Sequence, residues 1–424
     1  MPGTRSLSTL SVADQLIAAS LSPDGQLFSA TTSLLNSGQA IDWGVVLERA
    51  DALHMVGPLE HAIRGMPIAR LALSQDQRDA IRVLALHLQR MRASRRTKTQ
   101  ALQEQLDKIL MEAGRLAIPI VLLKGAHIAH LPNQKPEDRP MSDIDLLVRT
   151  DDMDRFEAMV QRLGYTPTNP SSFWRDSHFH LCPLAHPAYR HIVEIHWGLT
   201  APASRIKIDM AAIWARAEPF LVNGRPTLTL APEDNLIYLV IHGFFIDKLR
   251  HNGLRQIRDI ALLIGGTIDR MNWNAVVDRS RALEICRPVY LALELVRLIT
   301  GTSIPDSAMS QLKPPDWNDE LIDEAYTRLF WSVEGTQLRP GIFRAWRQAG
   351  PVGVIRLIGR EISPEVLRIN YGPTRFAWMA YLYVPRRVFG WIATYWRVVL
   401  ATMRLDRKLQ ARLRRVAALD HWLT

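Results

Sequence analysis

Apolar positions in the first part of the chain recur at helical spacing. Trp43, Val46, Leu47, Ala50 and Leu53 share one face, with Asp42 placed to cap that helix. Ser74-Gln75-Asp76-Gln77 reads as a capping box that opens a long helix. Leu102, Leu106, Ile109, Leu110 and Ala113 form its later stripe, with Gly114 as the expected C-cap. Residues 1–40 have weak periodicity and many Ser, Thr and Gly, which predicts poor order or short helices.

The pattern changes at Ile118. The run Ile118-Pro119-Ile120-Val121-Leu122-Leu123 predicts a short buried strand ending at Lys124-Gly125. A loop rich in proline and charge follows, from Pro132 to Pro140. Asp143-Ile144-Asp145-Leu146-Leu147-Val148 predicts a second strand. Asp151 is placed to cap a helix carrying Phe156, Met159, Val160 and Leu163, closed by Gly164. Residues 191–197 predict a third strand. Helices resume at Ala231-Pro232-Glu233-Asp234, with Pro232 suited to a first turn. Residues 303–316, with Pro305, Pro314 and Pro315, read as a linker. The fold class expected is α+β: a small mixed β-sheet core embedded between mainly helical regions. Its expected parts are an N-terminal helical region (1–116), the α/β core (117–202), a helical domain closing the site (203–302), and a linker with a basic, aromatic, helical tail (303–424).

Composition narrows the class. The 424 residues are 47% hydrophobic and 22% charged, which excludes a largely disordered, collagen-like or multi-span membrane chain. Cys182 and Cys286 cannot build a disulfide framework and fit a reducing compartment. The short run Leu16–Ala19 beside Asp14 does not read as a secretory signal, so a cytoplasmic location is expected.

The net charge of +10 admits nucleic acid, a membrane surface or anionic substrates such as nucleotides. Its distribution is uneven. From Phe376 onward nine basic residues face only Asp406 and Asp420, so the tail carries +7 and the first 375 residues +3. Aromatic residues interleave with Arg386, Arg387 and Arg397, and arginine or proline interrupts every window of about 20 residues, so a membrane span fails. Two readings stand level: a peripheral helix on anionic membrane through 376–424, at the inner membrane face, and packing on the rest of the protein with arginines outward. RNA binding ranks below both because no recognised module is present.

The chemistry centres on Asp143-Ile144-Asp145. Residues two apart on a strand point the same way, so the two carboxylates stand side by side while Ile144, Leu146 and Val148 point into a core. Adjacent carboxylates repel unless a cation or proton joins them, and hard oxygen ligands suit Mg²⁺. Glu194 adds a third acid; paired nearby, the three can hold two metals about 4 Å apart. The bland alternative for the pair is a solvated edge strand. Gly125 permits backbone N–H groups to approach a phosphate, and Lys124 adds a point charge or merely snorkels at the strand end. Arg139 offers a forked phosphate contact or an ion pair with Glu137 or Asp138. Five histidines crowd 178–196 without ordinary zinc-ligand spacing; His196, on the face of Glu194, reads as a group beside substrate.

In this order the residues resemble the DNA polymerase β-like nucleotidyltransferase superfamily, and more closely its uncharacterised bacterial nucleotidyltransferase family. The similar features are Leu-Leu-Lys-Gly at 122–125, Arg139 before Asp143–Val148, Gly164-Tyr165, and Val193-Glu194-Ile195-His196-Trp197, followed by His242, Leu254-Arg255 and Asp259. They span about residues 40 to 300. The resemblance implies Asp143, Asp145 and Glu194 as catalytic metal ligands, with Glu194 as base. It also implies helices that bring His242 and Arg255 to the nucleotide, although Arg255 and Asp259 also fit a plain i,i+4 salt bridge. The activity implied is Mg²⁺-dependent transfer of a nucleoside monophosphate from an NTP to an unknown acceptor: a small molecule, peptide or protein. The glycine loop departs from the superfamily's usual Gly-Ser or Gly-Gly, because Ala126 follows Gly125. That departure and the tail motivate the alternative of a non-catalytic, nucleotide-binding or membrane-associated accessory protein.

Overall fold

In this computed structural model the described residues are 10–22, 26–37, 39–71, 73–132, 134–139, 141–168, 178–249, 252–330, 359, 362–364, 367, 376–390 and 407–423. The chain opens with α1 (Val12–Ala19), α2 (Gln26–Asn36), α3 (Trp43–Ala52), α4 (Val56–Gly65) and the 41-residue α5 (Gln75–Arg115). Short helices are therefore what the weakly patterned start forms within the described residues. Asp42 caps α3 by accepting from the Gly44 and Val45 N–H groups, and Ser74 with Gln77 closes a full capping box on α5. Gly114 is not the stop. α5 runs on to Arg115, and Ala117 takes the left-handed position (φ +52°) of a turn in which Ile118 N–H donates to Ala113 and Ala117 N–H to Gly114. Burying Ile118 compensates for the unusual alanine.

Helix α5 joins two cores. Ile81, Leu84 and Leu88 pack among the N-terminal helices, while Leu102, Leu106, Ile109, Leu110 and Ala113 lie under the sheet. That sheet comprises β1 (Ile120–Leu122), β2 (Asp143–Val148), β3 (Thr166–Pro167), β4 (Leu184–His186), β5 (Tyr189–His196), β6 (Glu218–Val222) and β7 (Arg225–Thr229), in the order β3-β4-β5-β2-β1-β7-β6. It is mixed: β2 runs parallel to β5, and β1 antiparallel to β2. Strands β6 and β7 lie beyond the 117–202 stretch expected to hold the α/β core. They form a hairpin through Asn223-Gly224, both at positive φ.

Between strands sit α6 (Lys124–Ile128) and α7 (Met153–Arg162). Asp151 does not cap α7. Residues 150–152 make a 3₁₀ turn that leads directly into it, so the helix starts from a preformed turn without a side-chain cap. Gly164, at φ +96°, closes α7 as expected.

One face of the sheet, with Ile120, Leu122, Ile144, Leu146, Val148, Val193 and Ile195, packs on α5 and α7. The other, with Val121, Leu123 and Leu147, packs on α8 (Met210–Arg216) and α9 (Pro232–Val240). Pro232 occupies the first turn of α9, as its position suggests. Helices α10 (Gly253–Thr267), α11 (Trp273–Ala282) and α12 (Cys286–Thr300) then rejoin the core of α1–α4.

The stretch read as a linker folds. α13 (Asp306–Leu312) buries Ala308, Met309 and Leu312, because its prolines flank the helix rather than interrupt it. α14 (Asp319–Leu329) follows. Of the tail, α15 (Arg407–Trp422) packs Val416, Leu419 and Trp422 inward and leaves Arg414 and Arg415 outside, the packed arrangement with arginines outward. Arg397, Arg404 and the aromatic residues Trp391, Tyr395 and Trp396 lie outside the described residues.

A fully buried ion pair anchors α15. Arg328 of α14 donates to Asp420 (2.7 Å), to the Val416 carbonyl (3.0 Å) and to the Lys248 carbonyl (3.0 Å). Asp420→Ala removes the 2.7 Å partner of that buried guanidinium and leaves it Glu324 at 3.9 Å, with an expected loss of about 3–5 kcal/mol in urea unfolding. A loss below about 1 kcal/mol would show that the pair does not hold α15 in place.

Candidate active site

The parallel pairing of β2 and β5 sets the site. Its register places Asp145 opposite Glu194 and Leu147 opposite His196. Because strand side chains alternate, Asp143, Asp145, Glu194 and His196 all face the α8–α9 side. Asp145 and His196 are buried, Glu194 and Asp143 half-buried. His196 Nε2 lies 3.0 Å from Asp145 Oδ1 and 3.7 Å from Glu194 Oε2. One donor atom each from Asp145, Glu194 and His196 fall within 4.8 Å of one another. Asp143 sits one strand repeat further out on the same face, where Ser142 Oγ lies 3.2 Å from its carboxylate.

Lys124 completes the cluster. Leu123 N–H donates to the Asp145 carbonyl (3.1 Å), so β1 ends beside the acids. Lys124 then adopts the left-handed region (φ +42°), uncommon for a long side chain, as the chain turns into α6. Its Nζ reaches Asp145 Oδ1 at 2.9 Å. Lys124 is thus an ion-pair partner inside the site and not a snorkelling surface lysine.

The charges follow from this geometry. Burial pushes the Asp145 carboxyl up, but Lys124 and His196 more than reverse it and hold it well below the usual range. Burial likewise opposes the Lys124 ammonium, and Asp145 overrides it, carrying Lys124 above its ordinary value. Glu194 goes the other way: burial, then the Asp145 charge, lift it to about 7. Burial keeps His196 below its ordinary value, so its imidazole is neutral near pH 7. The donor set fits a divalent cation: one held-ionised carboxylate, a second that a nearby positive charge would ionise, and a neutral imidazole.

Gly125 and Arg139 act together. Arg139 is buried and forms a fork with Asp259, Nε to Oδ1 at 3.2 Å and Nη2 to Oδ2 at 2.7 Å. The expected partners Glu137 and Asp138 instead face Arg92. The guanidinium also lies over Gly125. A Cβ there would overlap Arg139 Nη1 and come within 2.7 Å of its Cζ and 2.8 Å of Met141 Sδ. The glycine thus gives room to an arginine of this chain, and Arg139 is committed to Asp259. The same fork gives each oxygen of Asp259 a partner on Arg139, and the Asp259 charge also acts on Arg255.

His242 lies on a π-helical turn (Ile241–Ile246) after α9, with Nδ1 3.3 Å from Asp247. Burial and the Lys124 charge push it down to about 3, which places it in the field of the site. Arg255 is half-buried on α10 and feels the charges of Arg139, Asp143, Asp247 and Asp259; burial and Arg139 lower it. Two neighbours were missed in the sequence. Tyr238 is fully buried on α9, and its phenol interacts with Lys124, Asp145 and Glu194. Its signal was its position one turn before His242 on the same helix. His180 bridges to His196 through backbone pairing, their rings 5.1 Å apart. It stood unseparated among the five histidines.

A sheet-borne carboxylate cluster on a small α+β core, closed by helices, is the frame of a nucleotidyltransferase. Residues 39–301 match the family described as "uncharacterised nucleotidyltransferase", and the chain belongs to that family. No curated protein matches it. Among solved structures, the solution structure of the antibiotic-resistance factor ANT(2'')-Ia is similar over 46% of this chain and 96% of its own, at 16% identity and a TM-score of 0.31.

Two predictions follow from the geometry of the site. The raised Glu194 stabilises the folded state in its protonated form; that contribution is complete below its ordinary value of 4.5 and is lost as pH rises through about 7. In metal-free buffer, Glu194→Gln therefore gains about 1–3 kcal/mol over the native chain between pH 5 and pH 8 in urea unfolding. A pH-independent difference would rule out the raised carboxyl. Separately, Gly125→Ala forces Arg139 off its seat and costs about 1–3 kcal/mol; unchanged stability would show that the guanidinium has room to move.

Proposed function

We propose that the chain is a Mg²⁺-dependent nucleotidyltransferase that moves a nucleoside monophosphate from an NTP to an acceptor hydroxyl or similar group. The observation that carries this reading is the in-register pairing that sets Asp145 against Glu194 with His196 beside them. Asp143, Asp145 and Glu194 are the proposed metal ligands, and His196 offers a further donor atom. The cation would neutralise charge on the transferring phosphate. The acceptor oxygen forms a bond to the α-phosphorus as the bond to the bridging oxygen breaks, and pyrophosphate leaves. Glu194, ionised once a cation is bound beside it, is the proposed base that takes the acceptor's proton. Lys124 holds Asp145 ionised and adds positive charge beside the phosphates. Arg139, bound to Asp259, positions the loop at Gly125 instead of gripping phosphate. His242 and Arg255 stand where α9 and α10 approach the acids, which supports contacts from them to the nucleotide.

One observation favours the accessory reading. The Lys124–Asp145 pair supplies a cation to the most buried acid without any metal. Calorimetry with each NTP separates the two. Catalysis requires binding that depends on Mg²⁺ and falls at least about tenfold in the folded double variant Asp143→Asn/Asp145→Asn, together with pyrophosphate release over an acceptor panel. Equal NTP affinity in that variant, with or without Mg²⁺, would reject the metal assignment.

A further inference from the structure

Exposed apolar side chains are not spread evenly over the surface. Among the described residues thirteen large hydrophobic side chains are exposed, and six fall between Phe376 and Phe389. They include Trp378 at 64%, Leu382 at 69% and Phe389 at 72% exposed. Scattered single exposures are ordinary on a soluble surface, whereas a run of them marks an interaction surface. Helix α15 shows the contrast, since Val416, Leu419 and Trp422 are buried and its Asp420 is ion-paired.

The charge of the same segment is one-sided. No acidic residue occurs from Phe376 to Leu405, while Arg386, Arg387, Arg397 and Arg404 do. Arg386 is exposed within the same segment. Tryptophan and tyrosine settle at headgroup depth in a bilayer, and arginine reaches the anionic headgroups from there. Stacking on RNA would use the aromatic rings but gives no place to Leu382 and Val388, which a lipid interface also takes in. A two-fold contact with a second copy would set this acid-free, arginine-bearing segment against itself. No helix among the described residues is long and apolar enough to cross a membrane, so the contact is peripheral.

We propose that the 376–390 segment docks the protein on the surface of an anionic lipid bilayer, with Trp378, Tyr381, Leu382 and Phe389 entering the interface and Arg386 and Arg387 meeting the headgroups. The inference is independent of the nucleotide chemistry. The test is co-sedimentation of the full chain with phosphatidylglycerol–phosphatidylcholine vesicles and with pure phosphatidylcholine vesicles. Binding is expected only to the anionic vesicles and is expected to weaken as salt rises. Trp378→Ser/Phe389→Ser is expected to lower vesicle affinity at least about tenfold, as is Arg386→Glu/Arg387→Glu. Both pairs alter exposed or half-buried side chains, and unchanged thermal unfolding verifies their fold. Should thermal unfolding change, Trp378→Phe, which keeps the apolar bulk, is expected to retain binding. The proposal is overturned if the native chain ignores anionic vesicles, or if both folded pairs bind them like the native chain. It is equally overturned if the aromatic pair abolishes self-association or RNA binding while vesicle binding persists.

Discussion

Two carboxylates set opposite each other by strand register impose the strongest constraint on this molecule. Parallel pairing of β2 with β5 fixes Asp145 against Glu194, and slipping the register by one residue would turn the acids into the apolar core around Ile144 and Ile195. The fold therefore cannot relieve the repulsion by moving the strands. It relieves it with Lys124. The backbone bond from Leu123 to Asp145 brings β1 alongside, and the left-handed conformation at Lys124 marks the turn from which its ammonium meets the acid. A backbone conformation with a cost is retained where a charge needs it.

The loop before β2 carries a second layer of the same logic. Its charges look solvated in sequence, yet they form a junction. Arg139 forks onto Asp259, Arg258 donates to the Asp138 carbonyl, and Arg92 of α5 meets Glu60, Glu137 and Asp138. Residues from α4, α5 and α10 thus converge on one short loop. Holding Arg139 there fills the space over Gly125, so the loop is shaped by this chain's own guanidinium. Ala126, which follows the glycine, is buried as well. The loop's job in this chain is in part structural.

Local chemistry made some of this legible in the sequence. Capping residues located α3 and α5, and the alternation around Asp143 and Asp145 located β2 and its two faces, because each signal acts within a few residues. The β6–β7 hairpin was just as legible through Asn223-Gly224, a dipeptide suited to left-handed turns, and was overlooked because proline and charge dilute its strands. Other features had no local signal. Ala117 ends α5 only because Ile118 is buried in the sheet core beyond it. Arg139's partner is 120 positions away, and spacing favoured Glu137 and Asp138 instead. Helix α13 looked like a linker because its prolines count against helix locally, while its buried face is provided by distant helices.

The proposed divalent ion also answers a charge problem around the site. Asp143, Asp145, Glu194, Asp247 and Asp259 are five carboxylates, and Lys124, Arg139, Arg255 and Arg258 are four cations in their field. With every group ionised the cluster carries one surplus negative charge. Burial makes such a surplus costly, and a protein can meet it in two ways: by holding a proton or by holding a cation. The rise of Glu194 to about 7 is the first response, a proton held on the raised carboxyl. A divalent ion is the second response, and it would return Glu194 to its ionised form. Lys124 does not fill that role, because its charge is already counted and the surplus remains. An accessory protein that relied on Lys124 alone would have no use for Glu194 beside Asp145, since an apolar residue there would remove the repulsion at no electrostatic cost.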